Sequence, residues 1–366
     1  MRKKIIYILL FTVFLIGCNS NSNNQVSNNQ QKSKEIEKEV ESEVEKNVDE
    51  SVEKKDVNKE KSKKEEIDYK KIKPNEAGKV MIIMYHSLGK NETKYASTPE
   101  IFKSNLEKLN SLGYSLVSLE DYVNNKIDIP AGRSPVVITF DDGHKSNFNV
   151  YKENDKIKID SKSAVGILEK FSKNNPEFGK TASFFLNSNP FGQKEYIDFK
   201  MDFLVNNGYS IGNHTNYHQD LSTLNKTGIV NALANQKNYL ENINENINVN
   251  TLALPFGKRP KNELEKYIYQ SDLKNKEYKN IAVLNVGWKP EVSPIHKNFD
   301  YKNLDRVQAG SLKWQLNDWI EYLEEKPEEK YISDGVKDII SIPISYKEKI
   351  NSSKIKDKEL KLYERN

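Results

Sequence analysis

Pro135-Val136-Val137-Ile138-Thr139-Phe140-Asp141-Asp142-Gly143 is the stretch on which the fold turns. Its first six residues are apolar or β-branched without polar alternation, as in a strand covered on both faces. The run then breaks into two carboxylates and a glycine. Similar short runs occur at Val80–Tyr85, Thr181–Leu186, Tyr209–Gly212, Thr251–Phe256 and Asn280–Val286. Helical stretches separate them. Thr98-Pro99, followed by Ile101, Phe102, Leu106 and Leu109 and closed by Gly113, has a cap, a first-turn proline and a terminal glycine. Phe199–Asn207 closes at Gly208 in the same way, and Ile229–Ile243 and Leu312–Leu323 are further helical stretches. This alternation over about 250 residues predicts a parallel α/β fold, either a barrel or an open sheet. In both, chemistry belongs at the C-terminal ends of strands. Met84-Tyr85-His86, Asp141-Asp142-Gly143, Asn213-His214 and Pro255-Phe256-Gly257 all follow apolar runs.

His214 and His218 are spaced i, i+4, which on a helical turn points both imidazoles the same way. With five histidines in 366 residues, about 0.07 such pairs are expected by chance. Two histidines and a carboxylate suit a divalent metal, zinc above all, with cobalt or nickel as alternatives. Asp141-Asp142 taken alone reads equally well as a turn after a strand. Adjacent carboxylates also have a second use, in which one ligates a metal while the other stays free as a base.

The motifs together are more specific than any one of them. Thr139-Phe140-Asp141-Asp142-Gly143 resembles the first motif of the NodB-like polysaccharide deacetylases, carbohydrate esterase family 4. Gly212-Asn213-His214-Thr215-Asn216-Tyr217-His218, with Asp220-Leu221, resembles the second, and Ala253-Leu254-Pro255-Phe256-Gly257 the third. Met84-Tyr85-His86 is similar to the entry strand of the lipoprotein branch that acts on poly-N-acetylglucosamine. The resemblance implies a distorted (β/α) barrel over about residues 79–345. It implies Asp141 as catalytic base, Asp142, His214 and His218 as metal ligands, and Pro255, Phe256 and Gly257 as the loop shaping the acetyl pocket. A backbone N–H at Phe256, where the family usually has tyrosine, would face the oxyanion.

Two departures from the family pattern stand out. The third motif usually opens with an arginine that pairs with the catalytic aspartate, and here Ala253 stands there. Arg306, in Leu304-Asp305-Arg306-Val307, is a substitute reaching in from a later strand or, in the plainer reading, a surface or structural ion pair. The usual late Leu-x-His motif for the general acid is also missing. His296 is the one late histidine and is taken as the acid, with His86 and His144 as rivals near the metal motifs.

The chain opens with Arg2, Lys3 and Lys4 and an apolar run from Ile5 to Ile16, too short to span a bilayer comfortably. Leu15-Ile16-Gly17-Cys18 resembles a bacterial lipobox, so residues 1–18 read as a lipoprotein signal and Cys18 as the lipidated residue. Residues 19–72 are rich in Asn, Ser, Gln, Glu and Lys and read as a disordered charged linker. Residues 79–349 make the enzyme domain, and 350–366 a C-terminal tail. Cys18 is the single cysteine, which excludes an intrachain disulfide framework and a cysteine zinc site. The net charge of +4 from 57 basic and 53 acidic residues gives no strong basic field, so nucleic acid is not a partner.

The expected protein is a monomer anchored through Cys18 on the extracellular face of a bacterial cell membrane. It would remove acetyl groups from N-acetylated cell-surface polysaccharide by metal-dependent hydrolysis. Competing readings are an O-acetyl polysaccharide esterase, which needs a general acid less, a glycan-binding lipoprotein on a weakened enzyme fold, and a solute-binding lipoprotein.

Overall fold

The computed structural model describes residues 67–310 and 313–365. The signal segment, Cys18 and the linker as far as residue 66 lie outside them.

Nine strands form one sheet: β1 (Lys79–Tyr85), β2 (Tyr114–Leu116), β3 (Ser134–Phe140), β4 (Ser183–Leu186), β5 (Ser210–Asn213), β6 (Thr251–Ala253), β7 (Ala282–Leu284), β8 (Glu291–Val292) and β9 (Val307–Gln308). The order β7–β6–β5–β4–β3–β1 is parallel throughout. Beside β3 lies β2, also parallel, while β1 takes antiparallel β8 at its start and parallel β9 near its end. The sheet curls until its ends approach across one segment. Leu304 bridges to Leu284 of β7, and three residues later Val307 pairs with Ile83 of β1. The result is the expected distorted (β/α) barrel.

Strands β1 and β3 are buried nearly end to end because their two faces serve two cores. Met81, Ile83, Tyr85, Val136, Ile138 and Phe140 pack in a cluster with Phe102, Leu106 and Leu109 of α1 (Pro99–Ser111). Val80, Ile82 and Val137 turn to the other cluster, with Phe185, Ala253, Leu284 and Leu304. A continuous apolar run is what such a strand needs. The helices of ten residues or more are α1, α2 (Ala164–Asn174), α3 (Ile197–Asn206), α4 (Lys226–Ile243) and α5 (Leu316–Glu325). Thr98 caps α1 as its sequence predicts, accepting from the Ile101 N–H at 3.2 Å.

The structure differs from the sequence reading at its C-terminal end. The expected C-terminal tail is, over its described residues 350–365, part of the fold, since β11 (Glu359–Tyr363) pairs in parallel with β10 (Ile339–Pro343) over five positions. Ile340 and Ile342 pack there with Ala77, Ile295 and Ile350. Beside this module Glu76 is buried, with its carboxylate accepting from the Ser341 N–H at 3.0 Å.

Candidate active site and metal centre

The three proposed ligands come from two strand ends. β3 delivers Asp142, whose φ of 71° is followed by 64° at Gly143. Two left-handed residues in a row turn the chain sharply off the strand, and glycine suits the second. A Cβ on Gly143 would also stand 2.9 Å from a Leu186 methyl. β5 delivers His214. The expectation of a helical turn from His214 to His218 is not met, because the segment is an irregular turn with left-handed φ at Thr215 (58°) and His218 (51°). Asn213 holds it, accepting from the Thr215 N–H at 2.9 Å and donating to the Leu233 carbonyl at 2.9 Å. The four-residue spacing still brings the rings together, with centroids 4.9 Å apart.

Asp142 Oδ1 lies 3.3 Å from His214 Nε2 and 3.4 Å from His218 Nε2. Among the described residues this is the one group of three whose donor atoms all fall within 4.8 Å of one another. His214 Nδ1 sits 2.8 Å from the Ala253 carbonyl. A proton on Nδ1 satisfies that carbonyl and leaves the Nε2 lone pair facing the cluster, the arrangement that orients histidines at metals. The donor set and its tautomer therefore fit a divalent ion such as zinc.

Asp141 is buried beside the cluster, and Arg306 fills the other side of its carboxylate. The guanidinium donates from Nη1 to Oδ1 at 2.8 Å and from Nη2 to Oδ2 at 2.7 Å, in the fork geometry that suits a carboxylate. Arg306 Nε donates to the Asn285 carbonyl at 2.7 Å and Nη1 to Thr139 Oγ1 at 3.2 Å. Both partners are sealed from solvent. Arg306 is thus not at the surface: its ion pair is buried and its partner is Asp141, the residue that the arginine missing at position 253 would pair with. Gly287 makes room for it, since a Cβ there would stand 2.2 Å from the Arg306 backbone nitrogen. Burial alone would raise the Asp141 pKa, but Arg306 and then His214 outweigh it and hold the carboxyl below its ordinary value.

These groups share a cavity of about 470 Å³ whose lining includes His86, Asp141, Asp142, His214, His218 and Phe256. Phe256 sits in a tight turn with φ 58°, its ring 4.4 Å from that of His218 by centroids. Pro255 is buried behind it and Gly257, φ 64°, completes the turn.

The general-acid assignment needs correction. His296 is not in this cavity. It bridges to Ile350, and its ring is lowered in pKa first by burial and then by Lys349, Lys354 and Lys297. His86 and His144 do line the cavity. His144 Nε2 is 3.2 Å from Asp142 Oδ2, whereas His86 leaves the end of β1 and packs its ring 5.1 Å from Tyr95. Burial lowers the His86 pKa, and Asp141 and Asp142 oppose that shift.

Residues 128–271 match the family model described as polysaccharide deacetylase. The chain therefore carries a polysaccharide deacetylase domain, the domain of a hydrolase. Within that domain Asp141, His214 and Pro255 stand, in order, in motifs that resemble the first three of the NodB-like kind, carbohydrate esterase family 4. It is similar to the solved structure of the deacetylase PplD of Streptococcus pyogenes in complex with acetate. Identity is 20%, with 64% of this chain and 93% of that one covered and a TM-score of 0.46. The structure of IcaB from Ammonifex degensii gives 18% identity, 66% and 97% coverage and a TM-score of 0.48. A Bacillus cereus polysaccharide deacetylase gives 20%, 63% and 65%, and 0.47. No curated protein matches the chain.

Proposed function

We propose that this deacetylase removes acetyl groups from N-acetylglucosamine units of a cell-surface polysaccharide, and that it does so as a metal enzyme. The reading is carried by one observation: a buried carboxylate gripped by an arginine beside a three-donor cluster, in one concave cavity. A divalent cation bound by Asp142, His214 and His218 would supply Lewis acidity toward the acetyl carbonyl and the attacking water.

Asp141 takes a proton from that water as its oxygen bonds to the carbonyl carbon. Arg306 keeps the carboxylate ionised and fixes its direction. The Phe256 N–H serves the oxyanion, with Pro255 and Gly257 shaping the loop. His86 gives a proton to the nitrogen as the C–N bond breaks, leaving acetate and an amine. A proton donor in the cavity favours an amide substrate over an ester, since an alkoxide leaves with less help than an amine.

Acetate release from N-acetylglucosamine oligomers, peptidoglycan and acetylxylan, each with zinc, cobalt or chelator, tests this. Release from acetylxylan alone would make the enzyme an O-acetyl esterase. Release that chelator leaves untouched would remove the metal from the reading.

The lipid anchor belongs to the same proposal and rests on the lipobox at Cys18. Several acyl chains, at about 0.8 kcal/mol per buried methylene, would hold the enzyme on the outer face of the membrane. Cys18→Ser should move the protein from the membrane fraction to the medium with activity intact. A variant that stays on the membrane would point to another anchor.

A further inference from the structure

All three tryptophans of the chain, Trp288, Trp314 and Trp319, line a single groove of about 740 Å³. Large aromatics gathered at a surface mark a binding region. Trp288 is 72% exposed and Trp314 56%.

Trp319 ties the groove together. Trp319 Nε1 donates to the Trp288 carbonyl at 2.7 Å, tying the two segments together. The Trp314 and Trp319 rings lie 5.8 Å apart by centroids, and Trp319 leans on Tyr322 at 5.4 Å. The Trp314 backbone N–H donates to Asp318 Oδ2 at 2.7 Å, which fixes the chain that carries its ring. A platform ordered in advance loses little entropy on binding. The groove also adjoins the cavity of the candidate site, because Tyr95 and Val286 line both.

We propose that this groove holds sugar units of the polymer next to the one being deacetylated, and prefers units that still carry their acetyl groups. The proposal rests on the function proposed above and extends it from one residue of the substrate to several. A pyranose offers an apolar C–H face to an indole and a rim of hydroxyls to the Gln308 and Gln315 amides, which also line the groove. The charge of the lining sets the preference. Lys94, Lys289 and Lys313 line the groove, Lys289 paired with Asp305 at 3.4 Å, and among the described residues no carboxylate does. An acetylated unit is neutral there. A glucosamine unit carries an ammonium that the lysines repel within a Debye length of about 8–10 Å.

The test uses the groove as its own reporter, since intrinsic tryptophan emission of the full chain arises there alone. N-acetylglucosamine dimer and hexamer, and the glucosamine hexamer, are titrated with chelator present. Acetate release is measured separately with zinc. The N-acetylated hexamer should change the emission and bind at least tenfold more tightly than the dimer. Trp288→Ala with Trp314→Ala should weaken the hexamer about tenfold, as truncated aromatic anchors do, and leave the dimer unchanged. The glucosamine hexamer should bind several-fold more weakly, with the gap closing in high salt. Equal binding of both hexamers overturns the acetyl preference. Acetate released from the hexamer with unchanged emission and no length dependence overturns the groove while the deacetylase reading stands. An emission change without acetate release keeps the groove and sinks that reading. A change seen with phosphatidylglycerol vesicles and not with sugars would make the patch a membrane contact and overturn the proposal.

Discussion

The guanidinium of Arg306 meets both carboxylate oxygens of Asp141 at 2.8 and 2.7 Å across 165 positions of sequence. The sequence motif that would carry this cation has Ala253 instead, and Ala253 contributes its carbonyl to His214. The two tasks are therefore divided between two strands: the β6 backbone orients a histidine of the proposed metal cluster, and the segment entering β9 brings the charge to the proposed base.

Arg306→Met should leave a buried carboxylate without compensation. Removing one partner of such a pair costs about 3–5 kcal/mol. Denaturant unfolding should show that loss, and turnover should fall with it. Adding Asp141→Asn to the variant should recover part of the stability but none of the activity, as expected for two groups coupled to each other. Additive losses would mean that the pair does not act as a unit.

The adjacent carboxylates should separate cleanly by metal analysis. Asp142→Ala, His214→Ala and His218→Ala are each expected to lose retained metal. Asp141→Asn should keep it and lose turnover. An intact, metal-free Asp141→Asn protein would mean that base and ligand have been assigned the wrong way round.

His86→Ala should lower turnover on N-acetyl substrates by roughly 10²–10⁴-fold, the usual worth of a positioned acid. Aryl acetates should be spared, because a phenolate leaves unaided. His296→Ala should change neither, given its place against Ile350 away from the cavity. A selective loss in His296→Ala, with His86→Ala active, would reverse the assignment.

Glu76 gives the fold a pH dependence. Burial, and then the charge of Asp334, pushes its pKa up to about 8 from 4.5. A folded value above the unfolded one means that the folded state favours the proton. Stability from this group is full below about pH 4.5 and is lost as pH rises through about 8. Glu76→Gln should flatten that decline and leave the protein more stable than wild type in the alkaline range, by on the order of a few kcal/mol. Urea midpoints from pH 5 to 9 decide it. Parallel curves for the two proteins would count against the protonated Glu76.

The strands were most readable from sequence where both faces are buried, because β1 and β3 leave nearly unbroken apolar or β-branched runs. β2 is three residues long and has no period to detect. Helix α2 escaped notice although Ser163 caps it through the Gly166 N–H at 3.2 Å. Its polar face, with Glu169, Lys170 and Lys173, hides an apolar face made of Val165, Leu168 and Phe171. The spacing of His214 and His218 showed that they belong together but not how, since an irregular turn and a helical turn share that spacing. Arg306 and His296 mark the limit of such reading. Both are late in the chain and both looked eligible, yet barrel closure carries one to Asp141 and the C-terminal module takes the other away. Order along a chain does not fix position around a closed sheet.

Closure of the sheet through Leu304 and Val307 also sets a sequence of events in the making of the enzyme. Synthesis proceeds from the N-terminus, so Asp142, His214 and His218 are all present before residue 304 is added. A nascent chain at that stage holds every proposed ligand while its base has no counter-charge. The residue that completes the chemistry arrives with the strand that seals the barrel, so competence and completion are a single step. A fragment halted before residue 304 should accordingly be inert even when it is well supplied with metal.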